Sequence, residues 1–98
     1  MKEILNLKKG KDFTVEGKVY TALTELDLEG YDKETDSYSY TIYAKPKNEY
    51  KVFVIKFAED SRHYTGKRPQ FTENDIYYIN EEIYNEEDEN IQEKVGEK

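Results

Sequence analysis

The stretch that decides the fold is residues 38–57, YSYTIYAKPKNEYKVFVIKF, the densest run of apolar and β-favouring side chains in the chain. In its first half, Tyr40 and Ile42 share one face with hydroxyl-bearing residues between them, which is the period-two pattern of a half-buried strand. Its second half, residues 50–57, is almost entirely aromatic or β-branched apart from its lysines. Residues 45–49 place a Pro and an Asn between the halves, so the stretch predicts a β-hairpin.

The residues before this hairpin predict two more strands. Residues 12–16, DFTVE, read as a strand, and Glu16 with the following glycine reads as a tight turn into a second strand over residues 18–28. The second strand carries apolar residues on both faces, so we expect it to bend or bulge. Residues 30–37 form a polar loop. The order predicts an α+β or mainly β fold: a small curved antiparallel sheet, or an SH3-like or OB-like barrel, of four to five strands.

The pattern changes after the hairpin. Residues 58–70 contain a glycine, a proline and three closely spaced basic residues, and we interpret them as a basic loop. Thr72 and Asp75 resemble a capping box, and the isoleucines that follow recur at helical spacing, which predicts an acidic helix within residues 71–90. We expect it to pack on the sheet through Ile76, Ile79 and Ile83.

A competing interpretation makes residues 76–79, IYYI, a fifth strand, because all four favour β structure. The tail, residues 91–98, is expected to be disordered. The chain as a whole is interpreted as a single domain with an antiparallel β core in residues 1–57.

Composition narrows the class of protein. Hydrophobic residues make up 36% of the 98 residues and charged residues 38%, but ten Tyr and four Phe supply a core of aromatic rings. There is no Cys and only one His, which excludes disulfides and thiolate chemistry and gives no metal or cofactor site. No signal peptide and no apolar run of about 20 residues is visible. We therefore expect a cytoplasmic protein without a membrane partner.

The sequence gives no catalytic residue. His63 has only Ser61 near it as a potential nucleophile, and a loop histidine is usually just solvated. Asp32, Glu34 and Asp36 alternate as in an EF-hand loop, but the glycine and the twelfth-position glutamate of that motif are missing. We therefore interpret the chain as non-enzymatic.

Charge is distributed unevenly, and this asymmetry is the most informative functional feature. Residues 1–70 carry 13 Lys and Arg against 12 Asp and Glu, whereas residues 71–98 carry 2 against 10, so the C-terminal part alone has a charge of −8. On a helix, that segment would approach the charge density of duplex DNA. Small acidic proteins that inhibit nucleic-acid enzymes by mimicry offer an analogy of charge.

The favoured hypothesis is a protein-binding module that engages a basic site on a partner, which would be a nucleic-acid-binding enzyme if the chain mimics nucleic acid. The predicted partner-binding residues are Glu81, Glu82, Glu86, Glu87, Asp88 and Glu89. The alternatives are a structural subunit of a larger assembly, and a nucleic-acid-binding barrel that uses the basic and aromatic loop. The residues of that loop are Arg62, Tyr64, Lys67 and Arg68.

Overall fold

The computed structural model describes residues 3–67 and 69–82 and contains one antiparallel sheet. Two single turns of 3₁₀-helix, Ser61–His63 and Glu73–Asp75, are the helical elements within these residues. The strands are β1 (Asp12–Val15), β2 (Lys18–Ala22), β3 (Asp27–Asp32), β4 (Ser37–Pro46), β5 (Val52–Asp60) and β6 (Ile76–Glu82). The described part of the chain is thus a mostly β structure of six strands, rather than the four to five expected.

The predicted hairpin is confirmed and forms the centre of the sheet. β4 and β5 pair antiparallel, with Ile42 opposite Ile55 and Tyr40 opposite Phe57. The side chains of Ile42, Ile55 and Phe57 are completely buried. Because alternate residues of a strand point to opposite faces, these pairs form the floor of the core on one face of the sheet.

The predicted second strand is divided into β2 and β3, which confirms the expected bend. Both strands pair with β4, β2 with its C-terminal half and β3 with its N-terminal half. Between them, the Leu23 amide donates to the Tyr43 carbonyl over 2.7 Å, and a bulge follows between Leu28 and Gly30. β3 continues to Asp32, so the polar connection to β4 is shorter than predicted.

The tight turn predicted after β1 is also confirmed. Glu16 and Gly17 have φ angles of 51° and 83°, as a two-residue turn between twisted antiparallel strands requires. β1 and β2 therefore pair directly, with Phe13 opposite Tyr20.

The predicted C-terminal helix is wrong over residues 76–82, which form β6 instead. The capping box of Thr72 and Asp75 is present, but it caps only the single 3₁₀ turn before the strand. β6 pairs antiparallel with β5, because the exposed side of β5 offers backbone partners that a helix could not use. The competing interpretation of residues 76–79 as a strand is the correct one. Residues 83–98, including Ile83 and the predicted tail, lie outside the described residues.

Two further sequence expectations require correction. The sheet does not close into a barrel: its order is β1-β2-β4-β5-β6, with β3 pairing beside β2 on β4. The predicted basic loop begins later than residue 58, because β5 continues to Asp60.

Phe71 covers the core from the segment between β5 and β6. Its ring stacks on Phe57 with centroids 4.8 Å apart and meets Tyr40 edge-on at 5.3 Å. Its carbonyl accepts a 2.8 Å hydrogen bond from the Leu5 amide, and Leu7 is buried in the same cluster. Phe71 therefore holds the N-terminal segment and the β5–β6 connection on one face of the sheet.

We expect Phe71→Ala to lower the free energy of unfolding by about 3 to 5 kcal/mol, because it removes a buried ring and leaves a cavity against Phe57. Tyr50→Ala is the control, since Tyr50 is 96% exposed, and it should change stability by less than about 0.5 kcal/mol. Urea unfolding followed by circular dichroism measures both values. Equal effects of the two substitutions would contradict the position of Phe71 in the core.

Candidate functional site

The acidic end of β6 carries the two predicted binding residues that lie within the described structure, Glu81 and Glu82. Both are exposed, and a carboxylate oxygen of Glu81 lies 3.7 Å from the ammonium of Lys51. In the register with β5, these glutamates lie opposite Phe53 and Val52. The other four predicted residues fall outside the described chain, and they are Glu86, Glu87, Asp88 and Glu89.

An open groove of about 680 Å³ follows β6. One wall consists of six consecutive residues, 76–81, and the other comes from the β1–β2 hairpin. Phe53 and Tyr20 supply aromatic surface between the walls. At one end, the Glu16 amide donates to a Glu73 carboxylate oxygen over 2.7 Å, which ties the hairpin turn to the segment that leads into β6.

The charged residues that line this groove are mainly acidic. Glu16, Glu73 and Glu81 border it, against the single ammonium of Lys18. Lys18 already pairs with Glu49 at 2.8 Å. The groove thus combines an apolar floor with an excess of carboxylates, which suits a ligand that is apolar on one side and positively charged.

The structure does not assemble the predicted basic loop into an open cationic surface. The Arg62 guanidinium donates to both carboxylate oxygens of Asp60, over 3.1 and 2.7 Å, and these bonds hold the pKa of the Asp60 carboxyl far below its usual range. The ring of Tyr64 stacks on Tyr38 with centroids 3.9 Å apart. Lys67 is exposed, and Arg68 is not described. Nucleic-acid binding by this loop therefore stays a prediction.

A stack of three tyrosines at the β3 end of the hairpin is a feature that sequence reasoning missed. Tyr38 lies against Tyr64 and, at 5.2 Å, against Tyr31. The Tyr31 hydroxyl donates to Asp36 over 2.6 Å, and the Ser61 hydroxyl donates to the same carboxylate oxygen over 2.7 Å. These bonds lower the pKa of Asp36, with the Tyr31 hydroxyl as the largest cause. Only the antiparallel pairing of Tyr31 with Tyr38 could have signalled the stack.

On the opposite face of the sheet, Lys56 forms an ion pair with Glu29. Its ammonium lies 3.0 and 3.2 Å from the two carboxylate oxygens. This contact lowers the pKa of Glu29 and raises the pKa of Lys56. Ser39 and Tyr77 are joined nearby through their hydroxyl groups. Because Lys56 stays protonated at neutral pH, its amine does not supply a nucleophile.

Within residues 3–67 and 69–82, no group of three or more His, Asp or Glu side chains is arranged to hold a metal ion. The helical turns of the same residues include none with the length and hydropathy needed to cross a bilayer.

The hydroxyl of the buried Tyr40 donates to Glu59 over 2.9 Å. Burial, and then this bond to a carboxylate, raise the pKa of Tyr40 well above the ordinary value of about 10 for a tyrosine. An acid whose pKa is higher in the folded state loses stabilisation as the pH rises, because the unfolded chain releases the proton first.

We therefore expect the free energy of unfolding to fall progressively above about pH 10, with Tyr40 contributing to the slope. Tyr40→Phe should cost about 1 kcal/mol at neutral pH through the lost hydrogen bond, and it should reduce the alkaline slope. Thermal melts from pH 7 to 11 measure this. Tyr50→Phe is the matched control, because Tyr50 is exposed. An alkaline slope unchanged by Tyr40→Phe would contradict the assignment.

The candidate surfaces of the described residues are therefore an acidic edge with an apolar groove, a tyrosine stack beside a partly neutralised loop, and a polar face closed by an ion pair. Comparison of the chain with protein-family models, with characterised proteins and with solved structures finds no match. The proposals that follow consequently depend on the charge and geometry of these surfaces alone.

Proposed function

We propose that this chain is a non-enzymatic protein-binding module whose acidic C-terminal part engages a basic site on a partner protein. The narrower form of the proposal is that the partner is a nucleic-acid-binding enzyme and that the module inhibits it by occupying the site for nucleic acid. The observation that carries the proposal is the position of the negative charge: an exposed edge strand leads directly into the most acidic segment of the chain.

The charge partition supports a basic partner. Residues 71–98 have a charge of −8 while the rest of the chain is close to neutral, so the molecule has one strongly negative end. A concentrated field of one sign accelerates the encounter with a surface of opposite sign and discourages other partners. Binding of this kind weakens as salt rises, because the Debye length falls below about 10 Å above 0.1 M ionic strength.

The exposure of β6 supports a role for this end of the sheet in binding. Six of its seven residues, from Tyr77 to Glu82, are exposed. Tyr77, Tyr78 and Ile79 add apolar surface beside Glu81 and Glu82. Aromatic residues are enriched at protein interfaces, and the charged residues around them supply specificity more than affinity.

The test is affinity capture from lysate of the source cells, with the partners identified by mass spectrometry. The wild-type chain should recover basic proteins, and duplex DNA added as a competitor should displace them if the partner's nucleic-acid site is occupied. Glu86→Gln, Glu87→Gln, Asp88→Asn and Glu89→Gln together should weaken retention at least about tenfold at low salt, because four charges are lost from the binding segment.

The matched control neutralises four exposed carboxylates elsewhere, through Glu3→Gln, Asp27→Asn, Asp32→Asn and Glu34→Gln. Each set of four changes moves the formal net charge from −7 to about −3. We expect the control variant to retain the partner. Capture of acidic or neutral proteins only, or binding insensitive to salt and to the first set of changes, would overturn the proposal.

Direct nucleic-acid binding is the competing function, and it is tested separately. Labelled single-stranded DNA titrated with the wild-type chain at low salt should show no saturable binding. Binding that is lost with Lys67→Gln would favour the basic loop instead. The pairing of Arg62 with Asp60 and the stacking of Tyr64 on Tyr38 argue against this alternative.

A further inference from the structure

The groove beside β6 follows the edge of the strand rather than one of its faces. Successive side chains of a strand point to opposite faces, yet residues 76–81 all line the groove. A pocket on one face of the sheet would touch every second residue. The groove therefore exposes the backbone edge of β6, and among the described residues that strand pairs only with β5.

The pairing pattern identifies the backbone groups on this edge. Tyr43 directs its carbonyl toward Leu23, and residues of an antiparallel strand turn their N–H and C=O groups to alternate sides. Following the register from β4 through β5 to β6, Asn80 bonds toward β5, while Ile79 and Glu81 direct their backbone groups away from it. These outward groups can receive another strand.

The groove has room for such a strand. A strand residue occupies roughly 3.3 Å along the strand, 4.8 Å across it and 10 Å between layers, so about 680 Å³ holds roughly four residues. β1 and β6 run in the same direction, because four successive antiparallel pairings separate them. A strand inserted antiparallel to β6 would also be antiparallel to β1.

The walls define the chemistry of the occupant. The apolar surface of Val15, Phe53 and Ile79 suits apolar side chains on one face of the added strand. The carboxylates of Glu16, Glu73 and Glu81 suit lysine or arginine. A second copy of this chain is less suitable, because it would bring another acidic C-terminal segment against the first.

We infer that the groove is an acceptor site for an extended basic segment of the partner, with alternating apolar side chains, which adds to the sheet antiparallel to β6. This inference depends on the proposed function, because it specifies how the basic partner is bound. Strand addition supplies affinity through the backbone, and the walls supply specificity through alternate side chains.

The experiment uses the full chain and a fluorescent peptide of four Lys-Val repeats, measured by anisotropy at low ionic strength. Its composition control is a peptide with four lysines followed by four valines. The alternating peptide should bind at least about tenfold more tightly, since only its pattern matches the groove and several backbone hydrogen bonds contribute.

Backbone N-methylation tests the hydrogen bonds without changing the protein. One peptide is methylated at every lysine nitrogen and another at every valine nitrogen, which blocks opposite edges of the extended peptide. One of the two should lose about tenfold or more in affinity, and the other should bind within about threefold of the parent.

Two protein variants test the location. Ile79 and Val19 have nearly equal exposure, 40% and 37%, but only Ile79 lines the groove. Ile79→Lys should weaken peptide binding at least about tenfold, while Val19→Lys, which changes the net charge equally, should weaken it far less.

Equal, salt-sensitive binding of the alternating and block peptides would overturn strand addition but leave the charge-driven function standing. No binding by the full chain would also overturn it, and this result is expected if residues 83–98 of the chain itself fill the groove. Self-association that competes with the peptide would assign the site to a second copy and overturn the inference. Failure of the proposed function appears separately, as salt-insensitive capture in the lysate experiment.

Discussion

The structure depends on the burial of one face of the β4–β5 hairpin. The chain has more charged than hydrophobic residues, so it can build a core only where its few large apolar groups coincide. Ile42, Ile55 and Phe57 are fully buried there, and Phe71 closes the layer from above. Every other strand is positioned by pairing with one of these two, directly or through one neighbour. Apolar area removed from water at this layer is the main stabilising contribution available to the fold.

Local sequence was sufficient for the elements whose partners are close in the chain. The hairpin, the Glu16–Gly17 turn and the bend after Ala22 could all be predicted, because alternation and turn residues act over a few positions. The capping box at Thr72 was also recognised, yet the helix predicted from it was wrong. Isoleucines at 76 and 79 fit a helical face and a strand equally well. The free edge of β5, which is about 20 residues away in sequence, decides the outcome, and local propensity carries no information about such an edge.

The candidate site illustrates the same limit. The acidic character of Glu81 and Glu82 was evident in the sequence, because charge is counted without knowing the fold. The groove was not, since Val15 and Tyr20 come from the beginning of the chain and meet Ile79 only through the curvature of the sheet. The basic loop was identified by composition, but its cationic character was overestimated. Asp60 ends the preceding strand and holds Arg62, a contact that depends on the turn between them.

The division of the second predicted strand has a consequence for the dynamics of the molecule. β3 and the β1–β2 hairpin share β4 as a neighbour, each along a different half, and no register joins β3 to β1 or β2. Nearly all residues of β3 are exposed, whereas Tyr20 and Ala22 on β2 are buried. The two should therefore open as separate units, with backbone amides in β3 exchanging with solvent long before those in the β2 half of the sheet.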